Sequence, residues 1–464
     1  MIVVSGKSYL YKGVANTYLK GRTGVDINDY LVFENRTIKV GETKEWPLGA
    51  DYNRSKIPSK YISDVEKFKT IAYLVIKDDS IRYEEYWDGY SDTSHTSSFS
   101  MAKTFISILV GIAVDEGKIK SIDQPVGDFL PEYKDGDKSK VTIRHLLTMS
   151  SGINFTEDYK NPFSFPAEAY YGTDLRKLVY KYDATQEPGK YFDYLSGNTL
   201  LLCFALSKAT GMSVSDYASE KLWKPIQAEY DAYWSLDRRD GDEKAYCCFN
   251  SNVRDFARIG KVYLDSGRWN GKQIVPEKYV FESIQPAPVI DRDFNLKNNR
   301  YGYSWWLLPG YKGHNIFYAR GILGQYIIMI PDLDMIVVRL GKERAKEQIN
   351  GHPVDLYQFI DAALEMYSNP LPLPLKGMEI PQAPFRAGVA TPLSNQFPPA
   401  LLSSTTHSFL KNVCCQKILS AQRKEMGAEL SEHDVCWYQL KLLLPERIFP
   451  REGRQDLSFF QKEP

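Results

Sequence analysis

Strand signals at both ends of one stretch, with helix signals crowded between them, predict an α/β (α+β) fold, an antiparallel sheet flanked by helices with a helical lobe inserted between its strands. At the leading end, Ile71–Lys77 and Ile81–Trp87 flank Asp78-Asp79-Ser80 and read as a β-hairpin. At the trailing end, the strand-like Ile327–Ile330, the turn Pro331-Asp332-Leu333-Asp334 and the β-rich Met335–Leu340 read as another, so the strands of 301–340 complete the sheet. Between the two ends, helix starts are expected after Ser100, Thr142, Gly197, Ser213 and Ser251.

The first of these helices carries chemistry. Ser100-Met101-Ala102-Lys103 stands at the head of the apolar run Thr104–Val114, and residues at i and i+3 share a helix face. Lys103 can therefore point at the Ser100 hydroxyl. A hydroxyl is a poor nucleophile at neutral pH unless a base takes its proton, and a lysine can serve only where burial or neighbouring positive charge lowers its pKa. The apolar run, closed by Gly117, supplies such burial, and Lys103 is the one charged residue in the first three turns. At a helix start, unpaired N–H groups favour developing negative charge, which makes the Ser100 N–H a candidate oxyanion donor.

A second element lies in Pro188–Thr199, where a polar turn precedes the apolar helix start Leu200–Leu206. Tyr194 and Ser196 have the Y-x-S form that accompanies S-x-x-K in penicillin-recognising enzymes and related esterases and amidases. With this pair the chain resembles the serine β-lactamase-like superfamily, on the branch of class C β-lactamases, family VIII esterases and 6-aminohexanoate-dimer hydrolase. Thr142–Gly152 is similar to the shared "tirHLLtMtSGl" stretch of that branch, Ser213–Pro225 to the segment after the tyrosine, and Arg254–Gly260 to its "rDlArfG" helix. In these three, the histidine, tryptophan and arginines read as residues that hold the fold, and His145 as a hydrogen-bonded core residue rather than a base. The resemblance implies a β-lactamase/transpeptidase-like fold. It further implies a Ser100 nucleophile, a Lys103 base, a Tyr194 proton relay and Ser196 keeping that network in line.

The third element departs from the β-lactamases. In Phe317–Tyr326, Ala319 takes the place where the superfamily's K-T-G or H-x-G pattern has a basic residue that helps bind a substrate carboxylate. By the resemblance, Gly321 permits close approach of substrate, and the N–H of Ile322 completes the oxyanion hole with that of Ser100. Strand alternation turns Arg320 away from the face used by Ala319. β-Lactams are therefore not the expected substrates. The 6-aminohexanoate-dimer hydrolase subgroup, which shares the non-basic residue and the Y-x-S form, is the nearest match. The implied function is a serine hydrolase of small esters or amides. A β-lactamase or D-Ala-D-Ala peptidase-like enzyme, and a catalytically idle ligand- or cell-wall-binding member, are the alternatives.

Family-like motifs occupy only part of the 464 residues. Residues 66–368 are expected to form the hydrolase domain, 1–65 an extension packing on it, and 369–464, entered through the proline-spaced Asn369–Leu375, a poorly ordered tail. With 58 basic and 58 acidic side chains, nothing suggests nucleic acid or an electrostatic membrane footprint. No stretch is long and apolar enough to span a bilayer, and Met1–Leu10 does not read as a signal peptide. The expected partner is a small-molecule ester or amide, with no cofactor and no metal, since neither C-x-x-C nor H-E-x-x-H occurs. The aromatic loop Asn161–Gly172 reads as a segment that closes over substrate, with Tyr170 and Tyr171 as candidate contacts. Adjacent Cα atoms lie about 3.8 Å apart, below the usual disulfide range, so Cys247 and Cys248 are not expected to form an ordinary bridge.

Overall fold

The computed structural model describes residues 7–367, so the expected tail, 369–464, lies outside the described residues. The strands that build the site are β1 (Asn35–Ile38), β2 (Thr70–Lys77), β3 (Ser80–Tyr86), β4 (Thr96–Ser97), β5 (Ala232–Ser235), β6 (Phe249–Ser251), β7 (Trp306–Tyr311), β8 (His314–Gly321), β9 (Gln325–Ile330) and β10 (Met335–Gly341). The helices are α1 (Ser59–Lys67), α2 (Ala102–Asp115), α3 (Ser196–Thr210), α4 (Val253–Leu264) and α5 (Val354–Tyr367).

The large sheet has the order β7-β8-β9-β10-β2-β3 and is antiparallel throughout. Its two ends in sequence meet where β10 pairs with β2, Ile336 opposite Ile76 and Val338 opposite Leu74. The leading hairpin closes through Asp78 and Asp79, at φ 49° and 60°. Two left-handed residues match the right-handed twist of the flanking strands, and aspartate tolerates that conformation better than most side chains. Every residue of β9 and β10 is buried, because both faces of the sheet are covered. On one face lies α4, so close that a Cβ on Gly260 would sit 2.9 Å from the Ile336 side chain. On the other lie α1 and α5, tied in by the Tyr73 hydroxyl, which donates to the Phe359 carbonyl at 2.6 Å.

A smaller sheet, β1-β5-β6-β4, stands at the edge of the helical lobe. Residues 102–113 of α2 are all buried, and the helix packs along α3 and against Phe249 of β6, whose ring stacks on Phe105 at 4.2 Å. Helix α3 starts at Ser196, two residues before the start expected after Gly197. The segment before the large sheet contributes Tyr9, Ile27, Ile38 and Trp46 to the same apolar core as α2. The motif residues read as structural are engaged in holding the fold. His145 caps its own helix through the Thr142 N–H, Trp223 donates to the Tyr230 carbonyl, Arg254 pairs with Glu84, and Arg258 with Asp255 and Glu229. Among the described residues no helix is long and apolar enough to cross a membrane.

Candidate active site

The small sheet positions the candidate nucleophile. Ser97 of β4 pairs with Asn250 of β6, and the Ser98 N–H donates to the Phe249 carbonyl at 2.8 Å. The chain then turns sharply at Phe99, whose φ of +44° is a left-handed conformation that bulky residues avoid. Strain of this kind costs about 1–3 kcal/mol and persists only where the surroundings enforce it. Here the enforcement is burial, since Phe99 is locked in the core. Ser100 follows in a short 3₁₀ turn leading into α2, half-buried, with its hydroxyl at the head of the helix.

One turn on, Lys103 is only 1% exposed. Its Nζ donates to Ser100 Oγ at 3.1 Å and to the Tyr246 carbonyl at 2.8 Å, with the rings of Tyr194 and Tyr246 5.0 and 5.6 Å away. None of the ion pairs among the described residues includes Lys103. The amine thus sits in a dry aromatic pocket, within proton-transfer distance of the hydroxyl and with no counter-ion to hold its charge.

Tyr194 lies in the turn before α3, half-buried, its ring packed on Trp306 at 5.3 Å and edge-on to Tyr301 at 5.9 Å. Two residues on, Ser196 is fully buried and gives its hydroxyl to Glu157 Oε1 at 2.5 Å and its N–H to Oε2 at 2.9 Å. Glu157 also accepts from the Tyr159 hydroxyl at 2.5 Å. A carboxylate at the N-terminus of α3 satisfies its unpaired donors and suits its dipole. Glu157 and Tyr159 were not singled out in the sequence. They sit in a loop 39 and 37 positions before Ser196, and no local pattern links a loop acid to a distant helix start.

The third element closes on the first. Gly321 ends β8 with its backbone against Ser98, where an added Cβ would lie 2.3 Å from the Ser98 carbonyl oxygen. Its φ of −117° is ordinary, so the glycine is required by lack of room rather than by conformation. Ile322 begins the short turn that follows. Ala319, on the same face as Gly321, is fully buried in the core beneath. Arg320 does turn to the opposite face, where its guanidinium stacks 3.4 Å from the centre of the Trp306 ring.

Two expectations are corrected. Tyr170 and Tyr171 do not stand in an open loop. They end a short helix, Phe165–Tyr171, and are buried. The Tyr170 hydroxyl donates to Asp29 at 3.0 Å, and both rings pack on Phe33, so they pin the N-terminal segment instead of facing a ligand. Cys247 and Cys248 are joined by a disulfide between sequence neighbours, in a turn where Cys248 takes a φ of 65°. The turn's altered backbone accommodates a link that spacing alone disfavours. Two concavities elsewhere, one lined by Tyr263, Phe281 and Phe317 and one by Arg36, Arg176 and Phe204, contain none of these catalytic candidates.

Residues 59–350 match the family model described as Beta-lactamase. The chain belongs to the beta-lactamase family. The 6-aminohexanoate-dimer hydrolase of Paenarthrobacter ureafaciens is 27% identical over 300 residues, covering 60% of this chain and 73% of that relative. A putative 6-aminohexanoate-dimer hydrolase from Bacillus anthracis superposes with a TM-score of 0.61 at 23% identity, over 72% of this chain and 91% of the other. A family VIII carboxylesterase gives a TM-score of 0.53 at 16% identity, over 70% and 99%. These two superpositions establish the β-lactamase/transpeptidase-like fold.

Proposed function

We propose that this protein is a serine hydrolase that cleaves small esters or amides through an acyl-serine intermediate. The observation that carries the reading is the Lys103 Nζ held 3.1 Å from Ser100 Oγ in a buried pocket, with no acidic partner among the described residues. Lys103 takes the Ser100 proton as Oγ bonds to the substrate carbonyl carbon. The N–H groups of Ser100 and Ile322 hold the resulting oxyanion, and donors of this kind contribute about 2.7–4 kcal/mol each. Tyr194 passes the proton to the leaving oxygen or nitrogen as that bond breaks, which leaves the acyl group esterified to Ser100. Water then repeats the steps in reverse and frees the acid. The names of the relatives support an amide or ester as the bond cleaved.

The test is covalent labelling of the purified protein with a fluorophosphonate, followed by peptide mapping and a panel of p-nitrophenyl esters, amide oligomers and a chromogenic cephalosporin. Label on Ser100, lost together with turnover in Ser100→Ala, is the expected result. That variant should keep its stability within about 1 kcal/mol, because the change is small and leaves the packing intact. Undiminished turnover by Ser100→Ala would sink the mechanism.

A further inference from the structure

Arg339 lies fully buried in β10, and its guanidinium reaches the turn Ile322–Gly324 that joins β8 to β9. Nη1 donates to the Leu323 and Gly324 carbonyls at 3.1 and 2.8 Å and to that of Glu343 at 3.1 Å. Nη2 donates to the Phe68 carbonyl at 2.5 Å and the Thr70 hydroxyl at 3.0 Å, and Nε to the same hydroxyl at 3.1 Å. No ion pair among the described residues includes this arginine. Asp355, whose charge favours the guanidinium, is bonded instead to the Tyr326 hydroxyl at 3.0 Å and the Ala345 N–H at 3.1 Å. Burial lowers the Arg339 pKa only to about 10, so the group is charged at neutral pH. A buried charge is costly, and here main-chain carbonyl oxygens satisfy most of its donors. Two glycines make the room. A Cβ on Gly324 would stand 2.0 Å from Nη1, and one on Gly341 would stand 2.2 Å from Nη2. Gly324 also has a φ of 83°, whereas Gly341 has no left-handed φ, so space alone demands the second glycine.

The turn needs such a hold. Pairing of β8 with β9 ends at Gly321 opposite Gln325, so residues 322–324 lie beyond the ladder. Leu323 takes a φ of 63°, a left-handed conformation that a branched side chain keeps only where its surroundings enforce it. The Gln325 side chain secures the first carbonyl. Its Nε2 donates to Ile322 at 3.2 Å and to Gly341 at 2.6 Å, while its Oε1 accepts from the Gly341 N–H at 3.1 Å. Arg339 secures the other two. We propose that Arg339 is a positioning residue for the oxyanion hole, holding the Leu323 and Gly324 carbonyls so that the turn presents the Ile322 N–H beside that of Ser100. The inference rests on the acyl-serine reading for the use made of that N–H. The hold on the turn itself stands on the hydrogen bonds.

Arg339→Lys in the full chain tests the assignment, since lysine keeps the charge but not the planar fork that spans the carbonyls. With p-nitrophenyl butanoate its kcat should fall by about 10–10²-fold while KM stays near that of the parent, as expected when an oxyanion donor is misplaced. A trifluoromethyl ketone with the same acyl chain bonds to Ser100 Oγ and turns its carbonyl oxygen into an oxyanion, so its affinity should fall by the same factor. The matching secondary alcohol forms no such adduct and should bind as before. A folded Arg339→Lys enzyme with kcat within twofold of the parent, or equal losses for ketone and alcohol, overturns the assignment. Gly341→Ala leaves the arginine in place but displaces its guanidinium, so it should repeat the pattern and serves if Arg339→Lys fails to fold. Hydrogen exchange measured by mass spectrometry separates this inference from the hydrolase reading, because it needs no turnover. Exchange in residues 321–325 should speed up by about tenfold in the variants, with β2 unchanged. Unchanged exchange refutes the hold on the turn even where Ser100 takes the fluorophosphonate label. Faster exchange in a protein that neither turns over esters nor takes the label supports the hold and counts against the hydrolase reading alone.

Discussion

Replacing Gly321 by alanine probes the joint between the proposed nucleophile and the proposed oxyanion hole. The new methyl carbon would stand 2.3 Å from the Ser98 carbonyl oxygen, so the two backbones must part by about 1 Å to reach ordinary van der Waals contact. Neither side yields freely. Ser98 is tied to β6 through the Phe249 carbonyl, and Gly321 is paired with Gln325 in the large sheet. The parting therefore falls between Ser100 and Ile322, whose N–H groups must converge on one oxygen in the proposed mechanism. A misplacement of about 1 Å costs on the order of 10²-fold in rate, and loss of one oxyanion donor about 10²–10³-fold. Gly321→Ala should thus lower kcat for a p-nitrophenyl ester by about 10²-fold with a smaller change in KM, since the lost contact forms only in the transition state. Steady-state kinetics beside thermal unfolding of the same preparation makes the measurement. A folded Gly321→Ala enzyme with kcat within twofold of the parent would falsify this placement of the oxyanion hole.

Other perturbations address the remaining groups. Lys103→Arg should lose nearly all turnover, because a guanidinium stays protonated and cannot take the Ser100 proton; activity close to the parent would remove Lys103 from the base role. Tyr194→Phe keeps the packing on Trp306 and removes only the hydroxyl, so kcat should fall by about 10²–10⁴-fold, more than KM changes. A rise in KM alone would make Tyr194 a binding residue. Lys244 is fully buried and its pKa is pushed down to about 7 by desolvation. Between about pH 7 and the unfolded value near 10.5 the unfolded chain binds the extra proton, so folding stability should climb with pH by up to about 1.4 kcal/mol per unit. Denaturant melts of Lys244→Met should lack that climb, and an unchanged pH profile in the variant would count against the buried, proton-poor lysine.

Local pattern was enough to determine much of this protein. Alternation and turn residues placed the hairpin at Asp78–Asp79 and the strands that follow Arg320, because a strand's two faces and a tight turn's left-handed residues are properties of neighbours in sequence. The apolar run after Ser100 marked a buried helix, and the i, i+3 rule put Lys103 beside the hydroxyl for the same reason. What joins segments far apart had no such signature. Glu157 reaches Ser196 across 39 positions, and the Tyr246 carbonyl reaches Lys103 across 143. The aromatic loop at Asn161–Gly172 departs from its expected role for a related reason. An aromatic-rich stretch has one composition whether it covers a ligand or a core, and only the arrival of Asp29 and Phe33 buried Tyr170 and Tyr171. Alternation told which way Arg320 turns, but the tertiary fold alone set Trp306 and Tyr194 there to meet it, since the surroundings of a side chain are made by whichever distant segments the chain packs against it.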